Sequence, residues 1–281
     1  MTLDTSIAKG GLEIPSLAWG MLIRSWPWAF LFVALHTLFA TVSATIFQQA
    51  ALSGFVFPVL SLAVYCVWLL QLYRAAGLGR AATSVMPDVL RLFWAHILVA
   101  FLFAMGVIIL MLSMFLAMPV MLIAAGISTD SYPESTDAFL AIMQETGVIW
   151  LAGGLLSALC MGLAYFMFRL CLFAAATVDQ GHVRVLQTWP WTRGHALFLF
   201  IYIGGMVVLP LVLGEVIYRS AFGWALVSDG QNGGAPSLRS VDVFLRSGVQ
   251  ALELVVPTVF AAAISVFGYR AWTPTPDSDP P

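Results

Sequence analysis

The stretch Phe93 to Met118, FWAHILVAFLFAMGVIILMLSMFLAM, contains no Asp, Glu, Lys or Arg. At about 1.5 Å per residue a helix of this length reaches about 39 Å, more than the roughly 30 Å of a bilayer's hydrocarbon core. The run is too long and too uniformly apolar for an ordinary buried helix, and reads as a membrane span. Five further runs share its character, at roughly 28–47, 55–73, 147–170, 196–218 and 244–269. The fold expected is an all-α integral membrane protein, a six-transmembrane-helix bundle.

Composition agrees. Of the 281 residues, 61% are hydrophobic and 9% charged, and mean hydropathy is +0.95. A soluble domain carries about a quarter charged residues, so this chain lacks the charge to cover itself in water. Residues 1–20 hold Asp4, Lys9 and Glu13 and no apolar core, which excludes a cleavable signal peptide there. The net charge of −2 and the lack of a basic cluster give no reason to expect nucleic acid. Cys66, Cys160 and Cys171 form no CxxC pair and read as apolar fillers. No HExxH, P-loop lysine, Ser/His/Asp set or metal-spaced cluster is visible, so neither an enzyme nor a metal or cofactor site is expected.

Lys and Arg mark the cytoplasmic side of short loops. Lys9, Arg24, Arg74, Arg80, Arg91, Arg169, Arg184, Arg193 and Arg270 fall on one side, and Arg219, Arg239 and Arg246 on the other, in one loop. The loop around 127–146 has Asp130, Glu134, Asp137 and Glu145 and no cation. Both termini are therefore expected in the cytoplasm. Eleven of the twelve cations are Arg, a hint of a GC-rich bacterial genome and nothing more; the location expected is a bacterial cell inner membrane.

Two four-residue runs repeat: Ser25-Trp26-Pro27-Trp28 before the first span and Thr188-Trp189-Pro190-Trp191 before the fifth. Proline fits the first turn of a new helix and tryptophan prefers the headgroup zone. Each run reads as a corner where an amphipathic helix in the interface plane gives way to a span, with Trp26 and Trp28 as interfacial anchors. The third inward-facing start, Asp88 to His96, makes a similar polar-to-aromatic change without proline. The layout suggests three copies of one unit. Residues 1–27 then form the cytoplasmic N-terminus with its interfacial helix, 28–269 the membrane domain and 270–281 a disordered cytoplasmic tail; Ser228 to Ser237 is a Gly-rich loop.

The run from Arg169-Leu170-Cys171-Leu172-Phe173 to Leu186-Gln187-Thr188-Trp189-Pro190-Trp191-Thr192-Arg193-Gly194-His195 resembles the bacterial glycerophosphoryl diester phosphodiesterase membrane domain family and related multi-pass proteins. Thr188 stands where that family has Ser, and Pro190 is an addition. Leu17 to Leu35, LAWGMLIRSWPWAFLFVAL, looks like the family's opening. The resemblance implies a stand-alone membrane domain tied to envelope or lipid biology. It brings no catalytic residues, because the catalytic barrel that some relatives carry is missing.

Ionisable groups inside spans are costly and count as functional candidates. Glu215 and Glu253 fall at similar depth and, with His36, form a candidate intramembrane polar site for protons or cations. The competing reading pairs Glu215 with Arg219 four residues on, and Arg246 with Glu253. A haem ligand role for His36 lacks a second His at matching depth. Asp88, Asp179 and Glu145 sit at span ends, where solvation accounts for them. Pro58, Pro119, Pro210 and Pro257 kink or break four spans.

Arg169, Arg184 and Arg193, with Trp189 and Trp191, read as a basic aromatic collar for lipid headgroups. Gly154, Ala158 and Gly162 form a small-residue stripe for close packing, within the bundle or in a homo-oligomer. The function expected is a non-enzymatic, lipid-contacting scaffold or accessory factor of the envelope; the alternative is a small proton- or ion-coupled transporter.

Overall fold

The computed structural model describes residues 3–46, 53–79, 85–124, 126, 136–216, 220 and 236–273. In chain order the helices are α1 (Leu3–Ile46), α2 (Ser53–Ala75), α3 (Met86–Ala124), α4 (Thr136–Glu145), α5 (Val148–Arg169), α6 (Phe173–Gln180), α7 (Ala196–Ile203) and α8 (Pro236–Trp272). Six helical stretches are long and apolar enough to cross a membrane: Gly10–Ser43, Val56–Ala75, Met86–Ala124, Val148–Gln180, Ala196–Val216 and Val243–Trp272. The chain is a multi-pass, all-α membrane protein. Each expected span is present, and most are longer than the apolar run alone. In hydrocarbon every backbone N–H and C=O needs an internal partner, so helices extend until the chain reaches water.

The exposed side chains bear this out. In Met86–Ala124 only 6% of the apolar window is buried inside the protein. Phe101, Ile108, Ile109, Met111 and Phe115 lie exposed along α3. An apolar surface this continuous has lipid as its solvent.

The chain divides into two compact units, Ile97–Phe168 and the remainder. The larger unit is built around α8. Every residue from Ala262 to Tyr269 is buried, which marks a central helix rather than a one-faced one. α8 packs most extensively on α1, and α1 next on α2. An aromatic column joins α1, α2, α3 and α6: Phe32 stacks on Trp68 at 5.1 Å, Tyr65 meets His96 edge-on at 5.7 Å, and His96 meets Phe173 at 4.9 Å. Asp88 and Asp179 are tied in rather than left to solvent. Asp88 takes Arg74 at 3.0 Å and Arg91 at 2.9 Å. Asp179 accepts the Tyr269 hydroxyl at 2.8 Å and the Gly79 amide at 3.4 Å.

In the smaller unit α3 and α5 approach at Gly106. A Cβ there would lie 2.5 Å from Leu163 Cδ1, so any larger residue would make that leucine shift. Leu122, Met143, Val148 and Ala152 close the unit at one end. The Gly154, Ala158 and Gly162 stripe does not make this contact. All three are exposed, and a Cβ on either glycine would meet open space.

The first expected corner is absent. Ser25-Trp26-Pro27-Trp28 lies inside α1, a single 44-residue helix carrying both Pro15 and Pro27. Proline 27 removes the N–H that the Ile23 carbonyl would accept, at a cost of about 3 kcal/mol in a helix interior. Breaking the helix in an apolar medium would orphan more groups than that one carbonyl, so the helix runs through. The second copy does turn the chain, though no interfacial helix leads into it: two short 3-10 turns, Leu186–Thr188 and Pro190–Thr192, precede Gly194 at φ 85° and the start of α7. The three segments share residue types, but Ser25 to Trp28 and Asp88 to His96 are α-helical while Thr188 to Trp191 turns the chain.

Span five holds a register change. Gly204–Val208 is a π-helical segment in which the Leu209 amide bonds back to the Gly204 carbonyl. Pro210 follows directly. The wider turn accommodates the missing N–H and bulky ring that an α-turn would not.

The Arg219 end of the proposed Glu215 pair, the Ser228 to Ser237 loop apart from its last residues, Asp130, Glu134 and the tail beyond Thr273 lie outside the described residues.

Candidate functional site

Arg169 closes α5 and turns back into the protein. It is 8% exposed. Its Nη2 donates to the Trp189 carbonyl at 2.6 Å and its Nε to Thr192 Oγ1 at 3.2 Å, while the guanidinium lies 4.2 Å from the centre of the Trp189 ring. The Thr192 hydroxyl in turn has the Arg169 and Trp189 carbonyls within reach, at 3.2 and 3.0 Å. This closed set of bonds fixes the second Trp-Pro-Trp corner. The expectation that Arg169 meets lipid headgroups therefore gives way: its charge is buried and its donors are engaged within the fold. Arg184 donates from its backbone to Thr177 Oγ1 and from Nε to His182, while Arg193 is exposed. Trp189 and Trp191 are half-buried.

Glu253 packs against the residue that precedes Glu215. The Glu253 carboxyl carbon lies 3.3 Å from the Cβ position of Gly214, the residue before Glu215. Both glutamates are half-buried. His36 stands elsewhere, bonded through Nδ1 to Ser61 Oγ, at a separate cavity of about 510 Å³ whose other walls include Phe39, Phe57 and Pro58. His36 therefore does not share a site with Glu253.

The arrangement with the most chemistry was not singled out in the sequence. A cavity of about 570 Å³ is lined by Glu13, Ser16, Leu17, Gly20, Met21 and Arg24 of α1, by Ala75 of α2, and by Phe267, Arg270 and Ala271 of α8. The local reason is helical spacing. Glu13, Leu17, Gly20 and Arg24 recur at four, three and four residues and so share one face of α1. The α2 C-terminus leaves its last carbonyls without helical partners. Arg24 Nη1 donates to the Ala75 carbonyl at 3.0 Å, and Arg270 Nη2 to the Ala76 carbonyl. Two guanidiniums from different helices therefore converge on one helix end, where their charge also answers the negative pole of the helix dipole. A guanidinium has five N–H donors, so each arginine keeps donors for a further partner. Glu13 is exposed and pairs with neither arginine. The spacing signal was present in the sequence, but only the fold shows that Arg270, two hundred and more residues away, joins it.

At the start of α7 His195 stacks flat on Trp272, 4.3 Å between centroids and 8° between planes. Its Nδ1 is buried without a hydrogen-bond partner. Burial pushes its pKa below the ordinary histidine value, because the charged form loses more on leaving water. Among the described residues no group of three or more His, Cys, Asp or Glu converges as a metal site would require. Compared with known proteins, the chain matches no protein-family model, no curated protein and no solved structure.

Proposed function

We propose that the chain is a non-enzymatic, lipid-contacting protein of a bacterial inner membrane, a scaffold or accessory factor of the envelope with both termini cytoplasmic. The observation that carries this reading is the cavity between α1, α2 and α8. It joins two arginines with free donors to an apolar wall of Leu17, Met21 and Phe267. That pairing of charge and oil fits an amphiphile, whose headgroup meets the arginines while its apolar part meets the wall. Arg24, Arg74, Arg91 and Arg270 also belong to the cation-rich side inferred from the loops, which puts the cavity at the cytoplasmic leaflet. The resemblance of residues 169–195 to the phosphodiesterase membrane domain family favours the same lipid setting.

The test is lipid retention. The protein, purified in a mild detergent, is expected to hold phospholipid through native mass spectrometry, and Arg24→Gln with Arg270→Gln to lose most of it. Equal retention by wild type and double variant would overturn the reading. The alternative, a proton- or ion-coupled transporter, is favoured by one observation: Glu253 lies against Gly214 in the span that carries the π segment. Proton-coupled flux in liposomes that Glu253→Gln abolishes would support it. Self-association through Gly154, Ala158 and Gly162 is part of the same proposal, since that stripe is unpacked in a single chain.

A further inference from the structure

We infer that the cavity between α1, α2 and α8 takes an aminophospholipid from the bilayer, with the phosphate diester on Arg24 and Arg270 and the primary ammonium on Glu13. The inference rests on the lipid reading above and adds the headgroup class.

Charge is the first argument. The cavity holds two guanidiniums, one carboxylate and the carbonyl end of α2. The carboxylate and the negative helix end nearly offset the two cations, so a headgroup with a net negative charge gains little, whereas one with both signs is matched at each end. An anionic glycerol headgroup would leave Glu13 facing it without a cation.

Spacing is the second. Glu13 and Arg24 are eleven residues apart on one helix, about 16 Å of rise. Side chains on a helix lean toward its N-terminus, and Arg24, the longer of the two, leans further than Glu13, so the gap narrows without closing. Neither arginine pairs with Glu13. A bare phosphate on the arginines would leave the Glu13 end empty, whereas a phosphate joined to an ammonium reaches from the arginines toward Glu13, with the side chains covering the remaining distance. The ammonium's three donors also suit a carboxylate acceptor.

The third argument is the wall. Leu17, Met21, Ala75, Phe267 and Ala271 supply apolar surface beside the charges. A soluble phosphoamine has nothing to place there, whereas the glycerol and first methylenes of a lipid do.

The experiment reconstitutes the full chain in nanodiscs of equal parts phosphatidylethanolamine and phosphatidylglycerol, then reads retained lipid by native mass spectrometry. Wild type is expected to hold phosphatidylethanolamine in excess of its share. Glu13→Gln is expected to keep binding lipid while its preference falls by about tenfold, the effect of one lost charged hydrogen bond. Glu13 is exposed, so the variant should fold, and its thermal midpoint checks that. Retention at the bulk ratio, enrichment of phosphatidylglycerol, or an unchanged preference in Glu13→Gln overturns the aminophospholipid inference while the lipid reading stands. Wild type that retains no lipid overturns both.

Discussion

At the residue scale Arg169 is the side chain on which most depends. Its planar fork serves a carbonyl, a hydroxyl and an indole face together, a geometry that lysine's compact ammonium does not reproduce. Arg169→Lys should therefore destabilise the protein by about 2 kcal/mol, the range for hydrogen bonds to a charged group. Thr192→Val should cost somewhat less, and the double variant less than the sum, since the two share one network. Thermal midpoints in detergent check all three; near-wild-type Arg169→Lys would mean that the ring contact alone holds the corner. His195 gives a pH prediction. Its folded pKa is depressed, so the unfolded chain binds its proton more readily. The stability it contributes is complete above the unfolded value of about 6.5 and is lost as pH falls below it. The midpoint of wild type should decline between about pH 7 and pH 5, with a shallower decline in His195→Gln. The sequence made Arg169 legible as a conspicuous cation but put it on the wrong side of the surface. Positive-inside bias counts charges and does not see which of them fold inward.

At the element scale α1 shows what a lipid environment does to local signals. Pro27 between two tryptophans reads as a corner at the headgroup zone, yet the helix runs through it. Along the same helix two glycines make opposite demands. A Cβ at Gly10 would sit 2.8 Å from the Phe198 ring, which is itself stacked on Phe267 at 5.5 Å, whereas a Cβ at Gly20 meets nothing. Gly10→Ala should destabilise by about 1–3 kcal/mol through overpacking. Gly20→Ala should stabilise by roughly 0.5–1 kcal/mol through helix propensity. If both shift the thermal midpoint the same way, the packing of α1 on α7 is not as described. The small-residue stripe teaches the same caution: Gly154, Ala158 and Gly162 have the right spacing, but the buried contact of the smaller unit is made at Gly106 by Leu163. Periodicity identifies a face that permits close approach, and only the partner helix determines whether it is used.

At the scale of the whole molecule the spans were legible because length and apolarity are local properties of the chain, and all six lie where those properties put them. The cavity was not, because Glu13, Arg24 and Arg270 are joined only by the meeting of the first helix with the last. Topology is the prediction at this scale. A reporter placed after Pro281 should be active only in the cytoplasm, and one inserted near Gly126 only outside; the reverse pattern would invert the molecule and place the arginine cavity in the outer leaflet.

The burial of α8 at the centre of the larger unit bears on biogenesis. The helix that α1 packs against most is the last of the six spans in chain order, so that face of α1 waits for it while the four spans between are made. Contacts so distant in sequence slow assembly and leave intermediates exposed to misassembly. Ribosome stalling or a premature stop shortly before Ala262 would thus yield a product that is inserted but unassembled, a substrate for membrane quality-control proteases.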